Sequence, residues 1–271
     1  MAATRMSNIS PHALIDPKAS LAEGVEVGPF CVIGPDVTIG PGTRLISHVS
    51  ITGHTTIGRN NTFFPNSVIG AAPQDRKYKG APTEVLIGDD NIFREAATVH
   101  RGTEAGGGIT RVGNNNYLMV NAHVGHDGHV GDNCTMANNV MLGGHVIVGN
   151  NVNMMGGVGV NHKVTVGEFA FIGAYSRIHH DVPPFCKIDG ADLFRGLNVI
   201  GLRRANFSEG DIEALENACK ALFSREKPFA IAMAEFDTMN GLNPQVKKMI
   251  EFLRRRDLGK HGRYLESLRA K

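Results

Sequence analysis

An aliphatic residue or its equivalent recurs every six positions through most of this chain, and few folds accept that period. Hexads begin at Ile15, Leu21, Val27, Ile33, Ile39, Leu45, Ile51, Ile57, Phe63 and Ile69, and the phase resumes at Ile87, Phe93 and Val99. A second run, one residue out of phase, starts at Val112 and continues through Leu118, Val124, Val130, Met136, Leu142, Val148, Met154, Val160, Val166, Ile172 and Ile178. A period of six matches neither a helix of about 3.6 residues per turn nor strand alternation. It reads instead as a short strand plus a corner, with three units closing a triangular coil of 18 residues and the first residue of each hexad pointing inward. Twenty-five hexads make about eight coils, stacked as parallel sheets ~4.8 Å apart. The second residue is often glycine, as at Gly34, Gly40, Gly58, Gly131 and Gly173. Glycine and asparagine are expected to serve corners of positive φ.

The period fails twice. Hexads due at Asp75 and Ala81 are missing, and the step from Val99 to Val112 is 13 residues, which predicts excursion loops near 71–86 and 100–111. Insertions in a solenoid lie over one face and commonly carry function. Past Pro183-Pro184 the pattern becomes helical. A helix is predicted from Ser208 to about Phe223, a second from Pro228 to Met239, and a third from Asn243-Pro244 through Val246, Ile250 and Leu253 to Arg254, Arg255 and Arg256. The predicted fold is therefore an all-β solenoid over 1–190, a parallel β-helix, followed by a small C-terminal helical domain over 191–271. Composition agrees: 33 glycines, 12 prolines and no tryptophan fit tight coils better than a helical bundle or an aromatic-rich sandwich.

Charge is uneven. Positions 195–271 hold 15 Lys/Arg against 10 Asp/Glu, while 1–194 hold 13 against 16. A basic C-terminal segment is most often a solvated helical surface, and the Arg run is read that way before it is read as a patch for an acidic protein or phosphate. No basic-plus-apolar leader and no stretch of about 18 apolar residues is visible, so the expected location is cytoplasmic with no integral membrane segment. Cys31, Cys134, Cys186 and Cys219 are far apart and form no CxxC pair, which makes them reduced packing residues.

Histidines concentrate at His123, His126, His129, His145, His162, His179 and His180, none of them first in a hexad. Residues 18 apart stack, so His126, Gly144 and His162 form one column and Asp127, His145 and Lys163 the next. A metal site is disfavoured because no two of these histidines have the His-x4-His spacing of hexapeptide-repeat carbonic anhydrases. Acyl transfer needs a neutral imidazole as base, a carboxylate to fix its tautomer and an N–H for the oxyanion. His126, Asp127 and Gly144 supply these types side by side. A trimeric scaffold without chemistry is the alternative from a different class.

At these residues the chain resembles a known family. The hexads are similar to those of hexapeptide-repeat, left-handed parallel β-helix proteins, and the left hand rests on that resemblance. The stretches QDRKYKGAPTEVLIGDDNIFREAATVHRGT (74–103), EAGGGITRVG (104–113), NAHVGHD (121–127), ANNVMLGGHV (137–146), DVPPF (181–185) and GLNVIGLRRANFS (196–208) resemble the UDP-N-acetylglucosamine 3-O-acyltransferases that open lipid A biosynthesis. The resemblance implies a homotrimer with active sites between adjacent prisms, acyl carrier protein as donor and a UDP-sugar as acceptor. It implies neither nucleic acid, nor metal, nor a separate cofactor, since phosphopantetheine arrives on the carrier protein. His126 would be the general base, Asp127 its orienting carboxylate and Gly144 the oxyanion donor. Gln74, Asp75, Lys77, His123, His145, Asn161, His162, Asn198 and Arg204 would bind substrates, and Ala174 would border the acyl-chain groove. The chain departs from the family at Asn161, where a His is common, at Ile200 in place of Glu, and at Ala205 in place of a second Arg. An acceptor carrying a 3-amino group therefore stays open beside the 3-hydroxyl, as does another hexapeptide-repeat acyl transfer.

Overall fold

The computed structural model describes residues 8–224 and 226–268; the N-terminal stretch read for a leader lies largely outside them. Two- to five-residue strands build three ladders, parallel throughout on the faces of nine and eight strands and on the third, of eleven, except for its antiparallel last strand. Coil follows coil in the predicted register, as in His123 beside Met141 beside Gly159 beside Arg177. The residues opening the hexads fill the prism, from Val27 to Ile178, with Phe63 stacked on Phe93 at 4.7 Å.

Three features of the hexad go beyond its leading aliphatic. The fifth residue also points inward, and at one corner polar groups there form a buried ladder. Thr43 Oγ1 accepts from Asn61 N, Asn61 Oδ1 from Asn91 N, Asn91 Oδ1 from Asn116 N, and Asn116 Oδ1 from Cys134 N, at 2.7–3.1 Å. Positive φ belongs mainly to the fourth residue, with Asn, Asp or His at Asn60, Asn66, Asp90, Asn115, Asp127 and His145, while among the described second-position glycines only Gly70, where the first excursion leaves, has it. Those glycines answer a different need. A Cβ on Gly40, Gly58, Gly88 or Gly113 would come within 2.6–2.8 Å of the backbone of the next coil. Finally, apart from Arg101, whose N–H donates to Ala71 O where the excursions leave, the N–H of the third residue makes no main-chain ladder bond, which is why Pro17, Pro29, Pro35, Pro41 and Pro65 sit there at no cost.

Both excursions leave at the same corner. One joins strands Val68–Ala71 and Glu84–Ile87, and the next joins Thr98–His100 and Ile109–Val112 through a 3-10 turn at Glu104–Gly106. One coil further, this corner carries His126 and Asp127. Ladder pairing runs past Pro183-Pro184 to Cys186–Asp189, which takes Leu193–Leu197 as its antiparallel partner. Helices α1 (Val199–Arg204), α2 (Glu209–Phe223), α3 (Phe229–Thr238), α4 (Pro244–Asp257) and α5 (Tyr264–Ser267) follow, around a second core that includes Phe185, Leu215 and Leu253. Ser208 caps α2 and Asn243 caps α4 as the sequence suggested. The Arg run is spent within the domain: Arg254 pairs with Asp237, Arg255 covers the Tyr264 ring, and Arg256 covers Phe229. All four cysteines are buried and free. No described helix is long and apolar enough to cross a membrane.

Candidate active site

A cleft of about 380 Å³ runs up the corner and the adjoining nine-stranded face. It is lined by residues that include Gln74 from the first excursion, His100, His123, His126, Gly144 and Asn161, and it ends at Arg177 and His179. Asp127 lies buried behind it.

The carboxylate is fixed before the histidine is. Asp127 Oδ1 accepts from Thr103 N and Oδ2 from Thr103 Oγ1, each at 2.7 Å, and the Asp127 N–H donates to Thr110 Oγ1 at 2.8 Å. Thr103 also accepts from Gly106 N, so the second excursion folds into a cap directly over the acid. Gly106 is required at that contact, because a Cβ there would fall 2.1 Å from the Asp127 carboxyl carbon. Burial opposes the charge on Asp127, but the hydrogen bonds from His126 and Thr103 outweigh it and hold the carboxyl below its ordinary range.

His126 Nδ1 lies 2.8 Å from Asp127 Oδ2. An ionised carboxylate can only accept, so Nδ1 carries the hydrogen, and in the neutral tautomer this selects the lone pair falls on Nε2. The same ring lies over Gly144, where a Cβ would come 2.5 Å from His126 Nε2. Gly144 is third in its hexad, and its N–H makes no hydrogen bond among the described residues. The His126 ring and the Gly144 backbone thus meet at one edge of the cleft, with the buried Asp127 carboxylate behind the ring. His145 Nδ1 is 3.8 Å from the same Asp127 oxygen, and its ring meets His126 edge-on at 5.1 Å. Burial lowers the His145 pKa although Asp127 acts against this. Below, His123 takes its Nδ1 contact from Thr98 Oγ1 at 2.7 Å and meets His100 at 5.2 Å. Burial, then the charges of His100 and His126, push His123 down to about 4. His126, Asp127 and His145 also bring ligand atoms within 4.8 Å of one another, the spacing a metal ion would need. A metal on Asp127 Oδ2 would compete with the hydrogen bonds that oxygen accepts from Thr103 Oγ1 and His126 Nδ1.

The first excursion is pinned by Arg101, whose Nη1 donates to Gly70 O at 2.6 Å and Nη2 to Tyr78 Oη at 3.2 Å. Asp75 closes a turn by accepting from Lys77 N, and neither residue lines the cleft of the single chain. His162 sits on the corner just outside the lining. Asn198 is buried, capping α1 and donating to Phe169 O at 2.9 Å; Arg204 is exposed at the end of α1; Ala174 is exposed at a different corner. Sequence reasoning missed Thr103, Gly106 and His100. The stacking rule of 18 breaks there, because Thr98 pairs with His123, 25 residues on.

The family model for UDP-N-acetylglucosamine O-acyltransferase domain 2 matches residues 181–261. The acyl-[acyl-carrier-protein]--UDP-N-acetylglucosamine O-acyltransferase of Xanthomonas axonopodis pv. citri is 49% identical over 247 residues, covering 90% of this chain and 94% of its own length. The chain belongs to the UDP-N-acetylglucosamine O-acyltransferase family. Solved acyltransferases agree: that of Francisella novicida superposes with a TM-score of 0.87 at 34% identity over 91% of both chains. The Acinetobacter baumannii protein does so with 0.86 at 38% identity, covering 91% of this chain and 96% of that one. The left-handed β-helix with C-terminal helices is therefore the fold of this UDP-N-acetylglucosamine O-acyltransferase family member.

Proposed function

We propose that the protein transfers a 3-hydroxyacyl chain from acyl carrier protein to the 3-hydroxyl of UDP-N-acetylglucosamine, the first step of lipid A biosynthesis, in the cytoplasm. The observation that carries this reading is His126, held through Nδ1 by Asp127, with its ring packed against the backbone of Gly144. Nε2 takes the proton of the sugar 3-hydroxyl as its oxygen attacks the thioester carbonyl. The oxyanion that forms accepts a hydrogen bond from Gly144 N–H. Collapse breaks the C–S bond, and His126 returns the proton to the phosphopantetheine sulfur. Gln74, His123, His145 and Asn161 line or border the space the sugar occupies. Asp75, Lys77, Asn198, Arg204 and Ala174 lie outside the single-chain cleft, and a homotrimer supplies the opposing wall that brings such positions to it. Met141, 53% exposed on the open face, supports that assembly. The test offers UDP-N-acetylglucosamine and its 3-amino analogue with a panel of 3-hydroxyacyl carrier proteins and weighs the products. Ester on the hydroxyl sugar is expected to dominate; product from the amino sugar alone overturns that acceptor. His126→Ala should lower turnover by roughly 10²–10⁴-fold, with His129→Ala nearly silent. Chelators should leave the rate unchanged, and loss of activity in EDTA would assign the His126, Asp127 and His145 cluster to a metal instead.

A further inference from the structure

We propose that Glu266, carried by the C-terminal helix α5, is a positioning residue for the acceptor: it holds His162 at the upper rim of the cleft, making the chain's tail part of the substrate site. The inference rests on the acyl-transfer reading above and deepens it.

His162 is third in its hexad, one coil above Gly144, and Asn161 beside it lines the cleft. Its Nε2 lies 2.9 Å from Glu266 Oε1, a contact between residues 104 apart in sequence. The His162 side chain is otherwise half exposed, and it makes no other hydrogen bond among the described residues. An unrestrained ring would sample several rotamers, whereas the carboxylate fixes one and leaves Nδ1 for a ligand.

The tail does not need this contact in order to dock. Tyr264 N donates to Asp181 Oδ2 and Asp181 N donates to Gly262 O, both at 2.8 Å, and Arg255 covers the Tyr264 ring. Glu266 is nonetheless 9% exposed, and burying a carboxylate is costly unless it is paired. Its partners are His162 and, at 3.5 Å, Arg263, with Lys163 near enough to act on its charge. This end of the cleft also carries Arg177 and His179. Arg177 beside a His162 held by a buried acid suits the diphosphate of a nucleotide sugar better than an acyl chain.

The experiment is steady-state kinetics on full-length wild type, Glu266→Gln, His162→Ala and the double variant, with calorimetric binding of UDP-N-acetylglucosamine alongside. Glu266→Gln should raise KM and Kd for the nucleotide sugar about three- to tenfold, with kcat, donor KM and Tm nearly unchanged. In the His162→Ala background it should add nothing further, because the two act as one unit. Additive effects, an unchanged sugar KM, or a loss confined to kcat or Tm would each overturn the proposal while the acyl-transfer reading stands. A wild type that neither binds nor acylates the sugar overturns both.

Discussion

Gly144 and Gly106 hold the catalytic residues in place by having no side chain. Gly144→Ala would press a methyl against the His126 ring at 2.5 Å, and Gly106→Ala would press one against Asp127 at 2.1 Å. Displacement of about 1 Å at a reacting group costs on the order of 10²-fold, so each variant should lose about that much turnover. Neither glycine has a positive φ, so the cost should fall on activity and leave the far-ultraviolet spectrum unchanged. His123 makes a prediction about pH. With its pKa pushed to about 4 by burial, it stays neutral in the folded state where the unfolded chain, at about 6.5, takes up a proton. The unfolded state binds more protons in that window, so the His123 contribution makes stability rise with pH from about 4 to about 6.5. His123→Gln should flatten the rise, read as urea midpoints at about pH 5 and about pH 7. An unchanged slope would remove His123 as its source.

The coil elements show why some of this molecule is readable and some is not. Strands no longer than four residues carry little propensity of their own, yet a period of six is enforced by stacking and shows through. Helices α2, α3 and α4 announce themselves by caps and by spacing of apolar residues. Helices α1 and α5, at six and four residues, are too short to show a period and exist because they dock. His126, Asp127 and Gly144 could be assembled on paper because no insertion separates their coils. Thr103 and His100 lie across the second excursion, where the register slips, and no periodicity links Glu266 to His162. The inward asparagines were equally silent, since a buried amide is legible only when its partners are seen. Asn91 joins three coils through its amide and backbone. Asn91→Ala should cost about 2–4 kcal/mol in denaturant unfolding, because it takes the side-chain partner from Asn116 N–H and Gly113 O in the next coil.

At the scale of the whole molecule, the cleft is open along one side of a prism, and this predicts assembly. Sedimentation equilibrium should give three times the 29.1 kDa chain mass, and a stable single chain at micromolar concentration would contradict it. The unpaired third-position N–H has a wider consequence. Proline removes it at several rungs, and along one edge Arg59, Asp89, Asn114 and Asp132 each donate theirs to a side-chain oxygen of the next coil. On the edge that carries the site, the N–H groups of His126, Gly144 and His162 stand one above another as a staircase with no hydrogen bond among the described residues, and Gly144 is the step with a His-Asp pair directly below it. The reactive centre is in that sense portable, movable along its edge in increments of ~4.8 Å without disturbing the staircase itself.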